Sequence, residues 1–142
     1  MLKALIIDGN AIARGLLAGI LTEGGYSVAG QTHVSHQGYA LLQKYQPQLV
    51  CIALEQVEDG DNIVEQIREH FPKTLVFMVC AGLDERTLQQ SLARGVHGFI
   101  IKPFKADAVL KTIKGTVLAM IKRQQAVLHE PAQEPSQEPS QD

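Results

Sequence analysis

The sequence predicts a doubly wound α/β sandwich, a five-stranded parallel sheet with helices on both faces. Three observations point to it. Short apolar runs without polar alternation recur along the chain, as expected of strands buried on both faces. Between them lie segments whose apolar residues recur three and four apart, the helical spacing. The connections are short, and strands alternating with helices build a parallel sheet through right-handed crossovers.

The first strand is Ala4-Leu5-Ile6-Ile7, ending at Asp8-Gly9-Asn10, with Asn10 placed to cap the next helix. From Ala11 to Glu23, Ile12, Leu16, Leu17, Ile20 and Leu21 fall at helical spacing. Gly15 and Gly19 each cost roughly 1 kcal/mol of helix stability relative to Ala, and four apart they offer a neighbour close approach. Gly24-Gly25 ends this helix. Tyr26 to Gly30 is a short second strand, followed by a helix from Ser35 to Tyr45.

After Pro47 comes the clearest strand, the apolar run Leu49 to Leu54. Ligands of open α/β sheets gather beyond the carboxyl ends of the strands. There this strand offers Ala53, whose methyl group is no nucleophile. Glu55 to Gly60 reads as an acidic loop, and Asp61 or Asn62 starts a third helix with Ile63, Val64 and Ile67 inward. Leu75 to Val79 is the fourth strand, closing at Cys80. A more polar fourth helix runs from Asp84 to Arg94, with Leu88 and Leu92 as its expected buried ridge. Gly98 to Ile101 is the fifth strand and leads into Lys102-Pro103-Phe104; a fifth helix starts near Ala106 or Asp107. The topology lines up Asp8, Ala53, Cys80 and Lys102 along one sheet edge.

Residues 1–118 form one domain on this reading, 119–129 extend its last helix, and 130–142 form a tail. The tail is three E-P-x-Q units closed by Asp142, with no apolar side chain larger than alanine. Such a segment cannot offset the entropy of ordering and is expected to be disordered. A formal net charge of −2 gives no reason to expect nucleic acid or an anionic membrane as partner. No apolar run approaches the ~18 residues that span a bilayer, and Cys51 and Cys80 sit in apolar runs as buried thiols do. These features suggest a cytoplasmic protein. The histidines at 33, 36, 70, 97 and 129 make no metal set.

Several marks occur in order along the chain. Ile6-Ile7-Asp8 closes the first strand, Gly25-Tyr26 precedes the second, and Pro47-x-Leu49-Val50 opens the third. Asp59-Gly60 precedes the third helix, and Lys102-Pro103-Phe104 follows the fifth strand. With these marks, Leu2 to about Leu118 resembles a receiver domain of the response-regulator family, the CheY-like fold of two-component phosphorelay signalling. The resemblance implies phosphoryl transfer from a histidine kinase to an aspartate ending the third strand. It also implies Mg²⁺ held by that aspartate and an acidic pair after the first strand. A Ser or Thr ending the fourth strand and the lysine of Lys-Pro would bind the phosphoryl oxygens.

Carried over position by position, the chain keeps Asp8 and Lys102. It has Gly9 as second member of the pair, Ala53 at the acceptor, Cys80 at the hydroxyl position and Phe99 at an aromatic position that is often Tyr. Mg²⁺ demands hard oxygen ligands in near-octahedral geometry, and a thiol is a poor donor beside a hydroxyl. The expectation is therefore a degenerate pocket with no catalysis, no metal and no cofactor, in a module that signals by protein–protein contact. Asp8 and Lys102 are expected to neutralise one another, and Cys80 to be an inert buried thiol. Glu55, in a loop, is expected to point to water; turned inward it would place a permanent carboxylate near Lys102 and mimic phosphorylation.

Two alternatives stand beside this reading. One is a pseudo-receiver that binds a small molecule or nucleotide in the vacated pocket, although no Gly-rich phosphate loop accompanies it. The other, an enzyme with Asp8 as nucleophile, lacks the second acid two residues on. As for partners, Leu110, Ile113, Val117, Met120, Gln124 and Val127 trace a seam along the last helix. Met120, Val127 and Leu128 are expected to lie beyond the sheet. The resulting expectation is a homodimer through the fourth helix, fifth strand and fifth helix.

Overall fold

The computed structural model describes residues 1–129, with side chains placed through residue 126. In chain order the elements are β1 (Lys3–Ile7), α1 (Ala11–Glu23), β2 (Ser27–Thr32), α2 (Ser35–Tyr45), β3 (Leu49–Ala53), α3 (Leu54–Val57), α4 (Ile63–His70), β4 (Leu75–Cys80), α5 (Glu85–Arg94), β5 (Gly98–Ile101) and α6 (Ala106–His129). The five strands are parallel, in the order β2-β1-β3-β4-β5.

Every residue of β3 and β4 is buried because both faces of the sheet are covered. The alternation of side chains along each strand divides the core in two. Leu5, Ile7, Val50, Ile52, Val76 and Met78 pack with Leu42 of α2 and Ile63, Val64 and Ile67 of α4. Ala4, Ile6, Leu49, Cys51, Phe77 and Val79 pack on the other face with Leu17 and Leu21 of α1 and Val109 and Ile113 of α6. Gly38 lets α2 lie close on β1, since a methyl group there would run into Ile7.

Gly15 and Gly19 bring no neighbour close, since a Cβ at either would have nothing within 4 Å. The structure corrects three further sequence expectations. The segment after β3 is not all loop: Leu54–Val57 forms a helical turn that buries Val57. The expected ridge of α5 is rotated, with Ser91 buried and Leu92 47% exposed. The small Ser91 lets the helix approach β4, its hydroxyl lying 3.3 Å from the Met78 sulfur. Leu92, about 100° further round the helix, then faces outward. Met120 is the third: it packs partly against the core rather than passing the sheet. Val109 to Met120 rises about 16 Å, roughly the length of a five-residue strand. The first half of α6 therefore runs the whole length of the sheet.

Two further expectations fall at the edge of what is described. The helix does continue to His129. The side chains of Val127 and Leu128, and the tail 130–142, lie outside the described residues.

Candidate functional site

Beyond β1 the chain leaves to one side of the sheet through β2, and beyond β3 to the other through β4. That divergence opens a crevice at the carboxyl ends of the two central strands, where this fold class binds ligands. Asp8 follows β1 directly and is 3% exposed. Its Oδ1 accepts the Asn10 N–H at 2.8 Å, and Asn10 in turn caps α1 by accepting the Ala13 N–H at 2.9 Å. Asp8 Oδ2 faces Lys102 Nζ at 3.5 Å. Lys102 is held at the end of β5 by its own N–H, which donates to the Cys80 carbonyl at 2.8 Å, and its peptide bond to Pro103 is cis. The crevice thus brings together the aspartate and lysine that the sequence places at separate strand ends.

Ala53 is fully buried at the end of β3, and Cys80 is 3% exposed at the end of β4. The Cys80 thiol is pushed up by burial and then by the Glu55 carboxylate, against the opposing pull of Lys102 and the Gly82 N–H. It is therefore a poor nucleophile at neutral pH. Glu55 lines the same cavity as Lys102, although the ion pair of Lys102 is with Asp8. Phe99 is half-buried on β5 and packs against the core.

Two residues that sequence reasoning misses complete the site. The Gln56 side chain reaches back over Gly9, accepting the Gly9 N–H at 3.1 Å through Oε1. A Cβ at Gly9 would sit 3.1 Å from Gln56 Nε2. The turn carrying Gln56 is tied down from α2: the buried Ser35 hydroxyl lies 3.2 Å from the Gln56 carbonyl and also meets the Asp59 carboxylate. Arg14 donates from Nη1 to the Asp8 carbonyl at 2.8 Å. Asp8, Gly9, Asn10, Glu55, Gln56 and Lys102 line an open cavity of about 330 Å³.

Residues 4–114 match the family model of the response regulator receiver domain. The chain belongs to that family. As a receiver domain it is 29% identical over 114 residues to protein CcdB of Bacillus subtilis (strain 168), covering 80% of this chain and 95% of that one. To the chemotaxis protein CheY of the same organism it is 27% identical over 116 residues, covering 81% and 97%. A CheY-like receiver domain protein from Methanospirillum hungatei JF-1 shares its fold, with a TM-score of 0.76 at 21% identity over 87% of this chain and 98% of that one.

The Mg²⁺ that the family implies does not fit the residues present in this receiver domain. Of the two carboxylates at the cavity, that of Asp8 already accepts a backbone N–H and faces an ammonium group. The Gln56 amide lies over Gly9, and the end of β3 supplies a methyl group. A hard divalent cation needs several converging oxygens that this arrangement lacks. Among the described residues no helix is long and apolar enough to cross a membrane.

The seam expected on α6 is largely used within the domain. Ile113 is fully buried, while Val117 and Met120 pack partly on the core and Leu110 lies against Gly24. Among the described residues, the large apolar side chains left exposed on α5, β5 and α6 are Leu92 (47%), Ile101 (44%), Leu118 (47%) and Ile121 (43%).

Proposed function

We propose that this receiver domain signals through protein contact without taking up a phosphoryl group. The observation that carries the reading is the Asp8–Lys102 ion pair at 3.5 Å, with a buried alanine at the end of β3. The lysine that would meet a phosphoryl oxygen already has an anion, and no carboxylate at the end of β3 can accept the group. Removing either partner of such a pair strands a largely buried charge, which accounts for both being present. The domain also pairs with a second copy through the face of α5, β5 and α6, where Leu92 and Ile101 are left in water. The reading in which the vacated pocket takes a small molecule is weaker, because the Gln56 amide lies over Gly9, where a side chain is missing.

The test is incubation with acetyl phosphate and Mg²⁺, and separately with beryllofluoride. The expected result is no covalent adduct and no change in the amide spectrum around Asp8 and Lys102. An acid-stable, hydroxylamine-sensitive phosphoadduct on a residue of the pocket would overturn the proposal.

A further inference from the structure

At the opposite end of the sheet from the Asp8–Lys102 pocket, a second concavity runs between the start of β5 and the outer flank of α6. It is about 650 Å³ in volume, within the range of small-molecule sites. Its floor is Val96, Ala119 and Met120, and its polar wall is His97, Lys111, Thr112, Thr116 and Arg123. No lining residue carries a carboxylate.

The positive charge gathered here is unanswered. Arg123 lies at one end of the groove and Lys111 at the other, twelve residues and about 18 Å apart along the helix. A third cation, Arg68, covers Gly95 and anchors its guanidinium on the Pro72 carbonyl at 3.0 Å. Among the described residues none of these three has a carboxylate within ion-pair reach. His97 stands in the field of two of them: burial first, then Arg68 and Arg123, hold its imidazole below the usual histidine range.

His97 is also rigidly placed. Its N–H donates to the Val76 carbonyl at 2.8 Å, and its Nδ1 accepts the Val76 N–H at 2.9 Å. The neutral ring therefore carries its proton on Nε2, a donor in the groove wall with no acceptor among the described residues. The groove thus offers an ammonium, a guanidinium, an imidazole N–H and the Thr112 hydroxyl over an apolar floor. It lacks any acidic side chain to balance them.

We propose that this groove binds a free multivalent anion of small-molecule size, carrying two or more phosphate or carboxylate groups. A single small anion cannot meet both Lys111 and Arg123; separated anionic groups can. The site is independent of the Asp8–Lys102 pocket, because Val96 and His97 precede β5 and Lys102 follows it. The chain's own tail is the competing occupant, since it carries Glu130, Glu134, Glu138 and Asp142 and no basic residue.

The probe is inorganic tripolyphosphate, titrated into the full chain while the His97 ring signals are followed by NMR. Saturable shifts are expected, weakened about tenfold by Arg123→Gln or Lys111→Gln and unchanged by Lys44→Gln. The same titration on a chain with Glu130→Gln, Glu134→Gln and Glu138→Gln separates the sources. Equal affinity, with the same His97 signals before addition, assigns the groove to a free anion. If the tail variant itself shifts the His97 signals and binds the probe more tightly, the carboxylates of the tail fill the groove and the proposal fails. It also fails if His97 does not respond to about 10 mM probe, or if Arg123→Gln binds as well as the natural chain.

Discussion

Ala53 is fully enclosed at the end of β3, so a carboxylate placed there would lose most of its water. The cation lining the crevice, Lys102, already faces Asp8. Ala53→Asp is therefore expected to lower stability by about 2–4 kcal/mol, read as a drop in the urea midpoint, without efficient phosphorylation. Adding Gly9→Asp and Cys80→Thr gives the smallest set expected to bind Mg²⁺ measurably. In Gly9→Asp the new Cβ crowds only the end of the flexible Gln56 side chain. A single Ala53→Asp variant that phosphorylates like an ordinary receiver domain would refute this account of the pocket.

Cys51 gives a residue-level prediction of a different kind. Burial pushes its thiol up to about 12 from the usual 9.0. A group whose folded value is raised contributes stability that is fully present below its unfolded value and lost as pH climbs through the folded one. Urea midpoints should hold steady up to about pH 9 and fall above it, at no more than about 1.4 kcal/mol per pH unit for this one proton. The Tyr26 phenol, raised by burial and by Cys51, adds to the same slope. Cys51→Ala should flatten the decline; an unchanged slope would mean that the thiol does not titrate with folding.

At the scale of the element, what the sequence discloses depends on how many residues share the signal. β1, β3 and β4 are legible because each presents four to six apolar residues in succession, and the cap at Asn10 because its chemistry is local. Spacing on α5 shows which residues share a side but not which of two adjacent sides turns inward. That choice rests on Ser91 fitting under the Met78 sulfur. Gln56 carries no periodic signal, and its reach over Gly9 depends on α3 turning the chain back. Ser91→Leu should therefore overpack the helix against β4 and cost about 1–3 kcal/mol, whereas Leu92→Gln should stay within about 0.5 kcal/mol. Thermal unfolding of the two variants tests the facing directly, and the reverse order would refute it.

For the whole molecule, the α/β class and the placing of Asp8 and Lys102 at the same edge of the sheet follow from strand–helix alternation and right-handed crossovers, while their meeting depends on the strand order. The strand order follows from neither, because periodicity does not say which strands are neighbours. Self-association belongs to this scale too, and the structure moves its basis. With Ile113, Val117 and Met120 engaged by the domain itself, Met120→Glu would test folding as much as pairing. Leu92 and Ile101 are better probes, being about half exposed on neighbouring elements of the proposed face. Soluble monomers seldom leave large contiguous apolar patches in water. A dimer built on so few exposed apolar side chains should be weak, in the micromolar range. Sedimentation velocity should show reversible dimerisation that Leu92→Glu with Ile101→Glu abolishes while the urea midpoint stays near its natural value. A chain that remains monomeric near 100 µM, or a double variant that dimerises unchanged, would remove this face from the proposed function.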